Sequence, residues 1–262
     1  MQEAIEKFAI FGGVEWGEID TSLNSFELIK KLILNDYRYI RNDITELTGG
    51  APLHHSILSA IAMGDGKTHS VYKRANVTQD IAQRAIDELC ETKIIKVIRP
   101  IDKSMDEKLM FTTPFLKFWF AFVSPLFKGI KEEKYDEVKT RWENREIKFI
   151  EDTFCDLSRE LVRAIFKDER IMSVSSYWSK QNTLDIYATT KSKDIIIGNS
   201  KYTNSKMKKS ELTKLKEISE EEGIDTTTYV LISKSGFSSE LKTLKSDKIK
   251  LLTIKHFQIL IK

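Results

Sequence analysis

Asp185 sits in the stretch TLDIYATT, and Asn199 and Lys201 close the stretch DIIIGNSKY. Both stretches alternate as β-strands do. Leu184, Ile186 and Ala188 point one way and leave Asp185 and Tyr187 on the other face, while Asn199 and Lys201, two residues apart, share a side. If the two strands are neighbours, Asp185, Asn199 and Lys201 converge. Such a set suits phosphodiester chemistry: carboxylates hold Mg²⁺, the metal activates a water, and a lysine stabilises charge growing on the phosphate. Asn199 is the misfit, because an amide keeps a carbonyl oxygen for a hard cation but loses the charge of a carboxylate. Upstream, Asp152, Asp156 and Glu160 recur every four residues as one acidic helix face, with Glu160 best placed to add a ligand. The candidate metal residues are therefore Asp185, Glu160 and Asn199, for Mg²⁺ or Mn²⁺, with Lys201 as their catalytic companion. The plainer alternative is a strand end whose Asp185 pairs with Lys201 or Lys180.

These side chains need a sheet with helices against it. After the charged stretch KGIKEEKYDEVKTRWENRE comes a helix marked by Phe149, Ile150, Phe154, Leu157, Leu161 and Val162. Three strand-like pieces follow, then a lysine-rich helix, a strand, a short helix and a last strand (IKLLTI) before KHFQILIK. That order predicts an α/β sandwich over 141–262. Between 201 and 216, Lys201, Lys206, Lys208, Lys209, Lys214 and Lys216 face a single acid, Glu211, which reads as a phosphate-backbone footprint or as a solvated helix face.

The first half reads differently. Residues 1–50 are predicted helical: SFELIKKLIL puts Leu28, Leu32 and Ile33 on one face, and Asp36 and Asn42 stand as breaks or caps. Residues 51–140 give helix, Gly turn, short helix (70–75), Asn turn, a longer helix capped by Thr78, and two strands about a polar turn. Ile81, Ala82, Ala85, Ile86 and Leu89 are the inward face of that third helix. Three helices and a β-hairpin make a winged helix. Its candidate nucleic-acid contacts are Lys73 and Arg74, then Gln79, Gln83 and Arg84 on the third helix, and Lys96, Arg99 and Lys103 on the hairpin. The plainer alternative is a packing or protein-contact module, and Asp80, Asp87 and Glu88 on the same helix keep it in play. GDGKT at 64–68 lacks the earlier glycine of a phosphate-binding loop, whose place is taken by Ile61.

With 42 basic and 39 acidic residues the whole-molecule field is weak, so attraction to nucleic acid has to come from local clusters. Two cysteines, Cys90 and Cys155, cannot build a disulfide framework or a four-cysteine zinc site, and a reducing, cytoplasmic setting is expected. MQEAIEKFAIFGG does not read as a signal peptide. FLKFWFAFVSPLF is broken by Lys117 and Pro125 and is too short to span a bilayer; it reads as a buried aromatic helix, core between two domains. The four histidines lack zinc-ligand spacing.

Residues from about 150 to 257 resemble the PD-(D/E)XK nuclease superfamily, and more closely the nuclease-like C-terminal domain of archaeal-type AAA ATPases. The resemblance is carried by FCDLSRELV, YWSKQNTLDIYA, IIIGNSKY and YVLISKSGF, and upstream by FAIFGGVEWGEID, SILSAIAMGDGKTHSVYKRANV and FLKFWFAFVSP; the ATPase core has no counterpart. It implies a helical winged-helix domain followed by a restriction-endonuclease-like α/β domain with a central mixed sheet. Asp185 and Lys201 then stand at motif positions and Glu160 at the helix glutamate. Asn199 replaces an acidic residue, Leu184 a frequent glutamate, and Cys155 another acid, which lowers the expected Mg²⁺ affinity. The function implied is DNA binding with a degenerate, metal-dependent endonuclease site. Its alternative is an inactive interaction module for a separate ATPase. DNA, such an ATPase and a second copy of the chain are the expected partners, with no membrane.

Overall fold

The computed structural model describes residues 1–16, 19–20 and 22–261, and the chain divides into two compact units, Glu6–Glu146 and Ile147–Lys262 with Met1–Ile5. Of the helical segment 1–50, the part from Glu6 onward falls in the first unit with the winged helix. Its helices are α1 (Gln2–Phe11), α2 (Ser25–Ile29) and α3 (Tyr37–Leu47). Asn24 caps α2 in a full capping box with Glu27. Asn42, expected as a break, lies inside α3, where its neighbours Tyr37 and Ile44 are buried and outweigh a weak local preference.

Next come α4 (Pro52–Met63), α5 (Thr68–Ala75), α6 (Gln79–Glu91), β1 (Ile95–Ile98) and β2 (Lys108–Phe111), the last two antiparallel. This is the winged-helix order. Thr78 occupies the cap position of α6, yet its hydroxyl makes no cap bond. Ala82, Ala85, Ile86 and Leu89 are buried as expected, but Ile81 is 52% exposed, because it lies a third of a turn off that stripe. GDGKT does structural work that the sequence hid: Leu109 N–H donates to Gly66 O at 2.7 Å and Lys67 makes an isolated antiparallel bridge to Lys108 at the edge of the wing. Gly66 has φ +73°, and a Cβ there would meet Leu109 O at 2.7 Å, so only glycine lets the two backbones approach.

The aromatic run is α7 (Pro114–Phe118), a π-helical turn over Trp119–Val123 and a tight turn at Pro125, followed by α8 (Phe127–Lys131). Within the first unit, Phe118, Phe122 and Trp142 pack ring on ring, and Tyr37 stacks on Trp119 at 5.6 Å. No helix among the described residues is long and apolar enough to cross a membrane.

Helix α9 (Asp136–Ile165) leads into the second unit. There β3 (Ile171–Trp178), β4 (Thr183–Thr190), β5 (Ile195–Lys201), α10 (Lys209–Glu221), β6 (Thr226–Ser233), α11 (Ser239–Lys242) and β7 (Ile249–Thr253) follow. The sheet runs β3-β4-β5-β6-β7, with the first two pairings antiparallel and the last two parallel. One face carries Ile197, Leu231 and Leu251 against Leu212, Leu215 and Ile218 of α10. The alternate residues Ile196, Val230, Ile232 and Leu252 are equally buried and belong to the other face, the side of Phe154 on α9, whose ring packs on Tyr202 and Phe257. Both faces are covered, as an apolar run such as Ile195-Ile196-Ile197 requires.

Candidate functional site

Strands β4 and β5 are neighbours, and their register places Asp185 beside Asn199. The Asp185 backbone N–H donates to Asn199 Oδ1 at 3.1 Å, where the ladder proper stops at Ile186 and Gly198. The side chain of Asn199 thereby replaces a ladder acceptor. Its carbonyl oxygen is committed to the backbone.

Asp185 does not point where simple alternation puts it. The β3–β4 pairing shifts register between Ser175 and Tyr177, so Asp185 and Ile186 together oppose one residue of β3, a bulge. Leu184 and Tyr187, three apart, both reach the α10 core, and the Asp185 carboxylate swings to the other side. There its Oδ2 accepts from Ser200 N–H at 2.8 Å and from Ser200 Oγ at 3.1 Å. Ser200 Oγ also lies 3.0 Å from Cys155 Sγ on α9. Arg159, one turn along, donates to the Asp185 carbonyl at 2.9 Å and pairs with Asp156. Burial, and then the Asp185 carboxylate, push the Cys155 thiol up to about 12, so it is a neutral SH at physiological pH.

Lys201 faces the opposite helix. Its Nζ lies 3.0 Å from Glu211 Oε1 on α10, with each side chain about a third exposed. Glu160 is exposed and pairs with Arg163 at 3.6 Å on its own helix. So Asp185 meets Asn199 only through its backbone N–H, its carboxylate lies on the other side of the sheet, and Lys201 and Glu160 are engaged with other partners.

The donor set fits a divalent cation poorly. Asp185 is one carboxylate with an oxygen shared by two Ser200 donors, Asn199 Oδ1 is taken by a backbone N–H, and the nearest α9 side chain is a protonated thiol rather than an acid. Among the described residues no three His, Cys, Asp or Glu side chains converge. A hard ion that binds through charge finds little of it here.

The lysines beyond β5 are organised more purposefully. Met207 is buried, its N–H donates to Gly236 O and its carbonyl accepts from Ser238 N–H, both at 2.9 Å. Lys206 and Lys208 flank this anchor, exposed and without an ion pair among the described residues. Lys208 is the cap residue of α10, and no side chain closes that end. Lys209 follows, pairing with Glu240 at 3.2 Å on the surface. Lys234, at the end of β6, lies over the Tyr202 ring at 4.5 Å and donates to Asn204. Cationic groups thus gather where the parallel strands β5 and β6 end, the usual position for ligands of α/β sheets.

In the winged helix, Lys73, Arg74, Gln79, Gln83, Arg84 and Lys96 are exposed. Gln83 is turned along its helix to Asp87 at 2.8 Å, and Arg99 pairs with Glu107 at 3.3 Å. The outward side of α6 carries Asp80, Asp87, Glu88 and Glu91 against Arg84 alone.

Sequence reasoning counted Glu211 only as a diluent of the lysines. Its position third in α10, where a capping-box acid belongs, was the available signal that it is placed deliberately. A family model, DUF234, described as archaeal and bacterial proteins of unknown function, matches residues 119–215, from the aromatic run through Asp185, Asn199 and Lys201 to Glu211. No curated protein and no solved structure matches the chain.

Proposed function

We propose that the second unit binds duplex DNA by its phosphate backbone and does not cut it. The observation that carries this reading is the pair Lys206 and Lys208, held exposed on either side of the anchored Met207, beside Lys209 and the unclosed start of α10. With the backbone anchored at Met207, only the lysine side chains remain to be ordered when they meet phosphates, and helix N–H groups add to the attraction. Residues 147–262 hold 21 Lys and Arg against 16 Asp and Glu, whereas residues 1–146 hold 21 against 23, so the positive excess lies in this unit. The absence of cleavage follows from the donor set around Asp185, which offers one carboxylate where Mg²⁺ or Mn²⁺ wants several.

The test is fluorescence anisotropy with a labelled duplex across a salt series, run beside plasmid nicking with Mn²⁺. Each phosphate contact contributes a slope of about 0.9 in log affinity against log salt. Replacing Lys206, Lys208 and Lys209 with alanine is expected to flatten that slope by about 2 to 3 and to weaken binding uniformly over sequences. A salt-independent wild type sinks the binding claim. Nicking that vanishes in Asp185→Ala sinks the claim of no cleavage.

The acidic outward side of α6 favours a second reading for the winged helix, as a contact for a protein partner; a separate ATPase is the partner the family resemblance suggests. On this reading, Gln79→Ala, Gln83→Ala and Arg84→Ala together leave the DNA affinity unchanged. A tenfold loss would return α6 to the major groove.

A further inference from the structure

The pair Lys201–Glu211 stands apart from the other lysines at this edge. Lys206 and Lys208 have no acid among the described residues, and Lys209 meets Glu240 only at an open surface, but Lys201 is held at 3.0 Å by an acid from the first turn of the helix that begins between Lys208 and Lys209. Glu211 stands third in α10, where the acid of a capping box would reach back, but the cap residue is Lys208, no side-chain cap bond forms, and Glu211 meets Lys201. Its carboxylate is therefore the anion that this basic edge supplies for itself.

Resting on the DNA-binding reading above, we infer that Glu211 is an internal counter-ion: Lys201 exchanges the Glu211 carboxylate for a backbone phosphate when duplex DNA lies along the end of β5 and the start of α10. Both partners are partly exposed, so the exchange needs rotation of two side chains and no rearrangement of the sheet. A carboxylate and a phosphate offer the ammonium the same kind of charge-assisted bond. The resident carboxylate thus lowers affinity, because one lysine must be released before it can contribute. It also makes the edge selective for dense arrays of phosphates, which gain from Lys206 and Lys208 at the same time, over isolated anions.

The experiment is a double-substitution cycle on the full chain with a labelled DNA duplex at several salt concentrations. Glu211→Gln is expected to tighten binding about fivefold with the salt slope little changed, since Lys201 meets its phosphate in both proteins, whereas Lys201→Gln is expected to flatten the slope by about 0.9. In the Lys201→Gln background Glu211→Gln is expected to bring no such gain, and Lys201→Arg is expected to restore it. Thermal melts accompany each variant, and Glu211→Ala provides a second removal of the carboxylate should Glu211→Gln fold poorly. An equal gain with and without Lys201 overturns the exchange, since it would reflect only a less negative surface. Wild-type binding that is salt-dependent and sensitive to Lys206 and Lys208, with Glu211→Gln neutral, sinks the exchange alone. A wild type that ignores salt removes the exchange together with the reading it rests on. Tighter binding to an RNA duplex overturns the choice of DNA.

Discussion

At the scale of single residues, the chemistry around Asp185 is that of a bonded joint. Its carboxylate ties β4 to Ser200 of β5, and through Ser200 to Cys155 of α9. Ser200→Ala removes the hydroxyl shared by Asp185 and Cys155 and is expected to cost about 1 to 2 kcal/mol, read from urea unfolding. The thiol adds a pH limit. Its folded value, about 12, lies above that of a free cysteine, so the unfolded chain gives up the proton first. The associated stability is whole below about pH 9 and is lost as the pH climbs from there toward 12. Cys155→Ala should flatten that alkaline decline, and an unchanged decline would mean that other groups cause it. That β4 and β5 are neighbours was readable from two apolar, alternating strands, but Asp185 meets Asn199 only through its backbone N–H. The direction of the Asp185 carboxylate was not readable, because a bulge is set by how β3 and β4 fit each other, and no residue of TLDIYATT announces it.

Elements were the most legible level. The order of helices and strands from 141 onward, the hairpin after three helices and the buried aromatic run all follow from periodicity and from Gly, Asn and Pro at the turns. What escaped was the bridge from Lys67 to the wing, which depends on two distant segments meeting, and the π-helical turn through Trp119. Gly198 is the element-scale residue with the sharpest consequence. It lies in β5 between two covered faces, and a Cβ there would stand 2.3 Å from the Val230 carbonyl oxygen of β6, a backbone atom with no room to give. A parallel pairing with that spacing cannot admit even a methyl group without a register or twist change. Gly198→Ala is expected to destabilise the chain by about 3 kcal/mol or more, or to prevent soluble expression. A melting temperature within about 2 °C of wild type would show that β5 and β6 can part locally, and would loosen the argument that they hold Lys201 and Lys234 in place.

For the molecule as a whole, the two compact units differ in what pH does to them. His55, in the first unit, is half-buried with its ring edge-on to Phe120 and its Nε2 2.6 Å from Ser124 Oγ. Burial, and then the charge of Arg41, hold its pKa below the ordinary histidine value of 6.5. A depressed folded value means that the unfolded chain takes up the proton first. The stability His55 brings is therefore whole above about pH 6.5 and lost as the pH falls below it. The Cys155 limit belongs to the second unit and acts at the other end of the scale. Acid is thus expected to act on the first unit through His55, and strong base on the second through Cys155. Tryptophan fluorescence can separate the two, since Trp16, Trp119 and Trp142 lie in the first unit and Trp178 alone in the second. In Trp178→Phe the signal reports the first unit only, and its urea midpoint should fall between pH 7 and 5; in the same background His55→Gln should flatten that fall. A midpoint that stays level across this range would mean that the ring accepts its proton without leaving the Phe120 face, and that burial there is less complete than the packing implies.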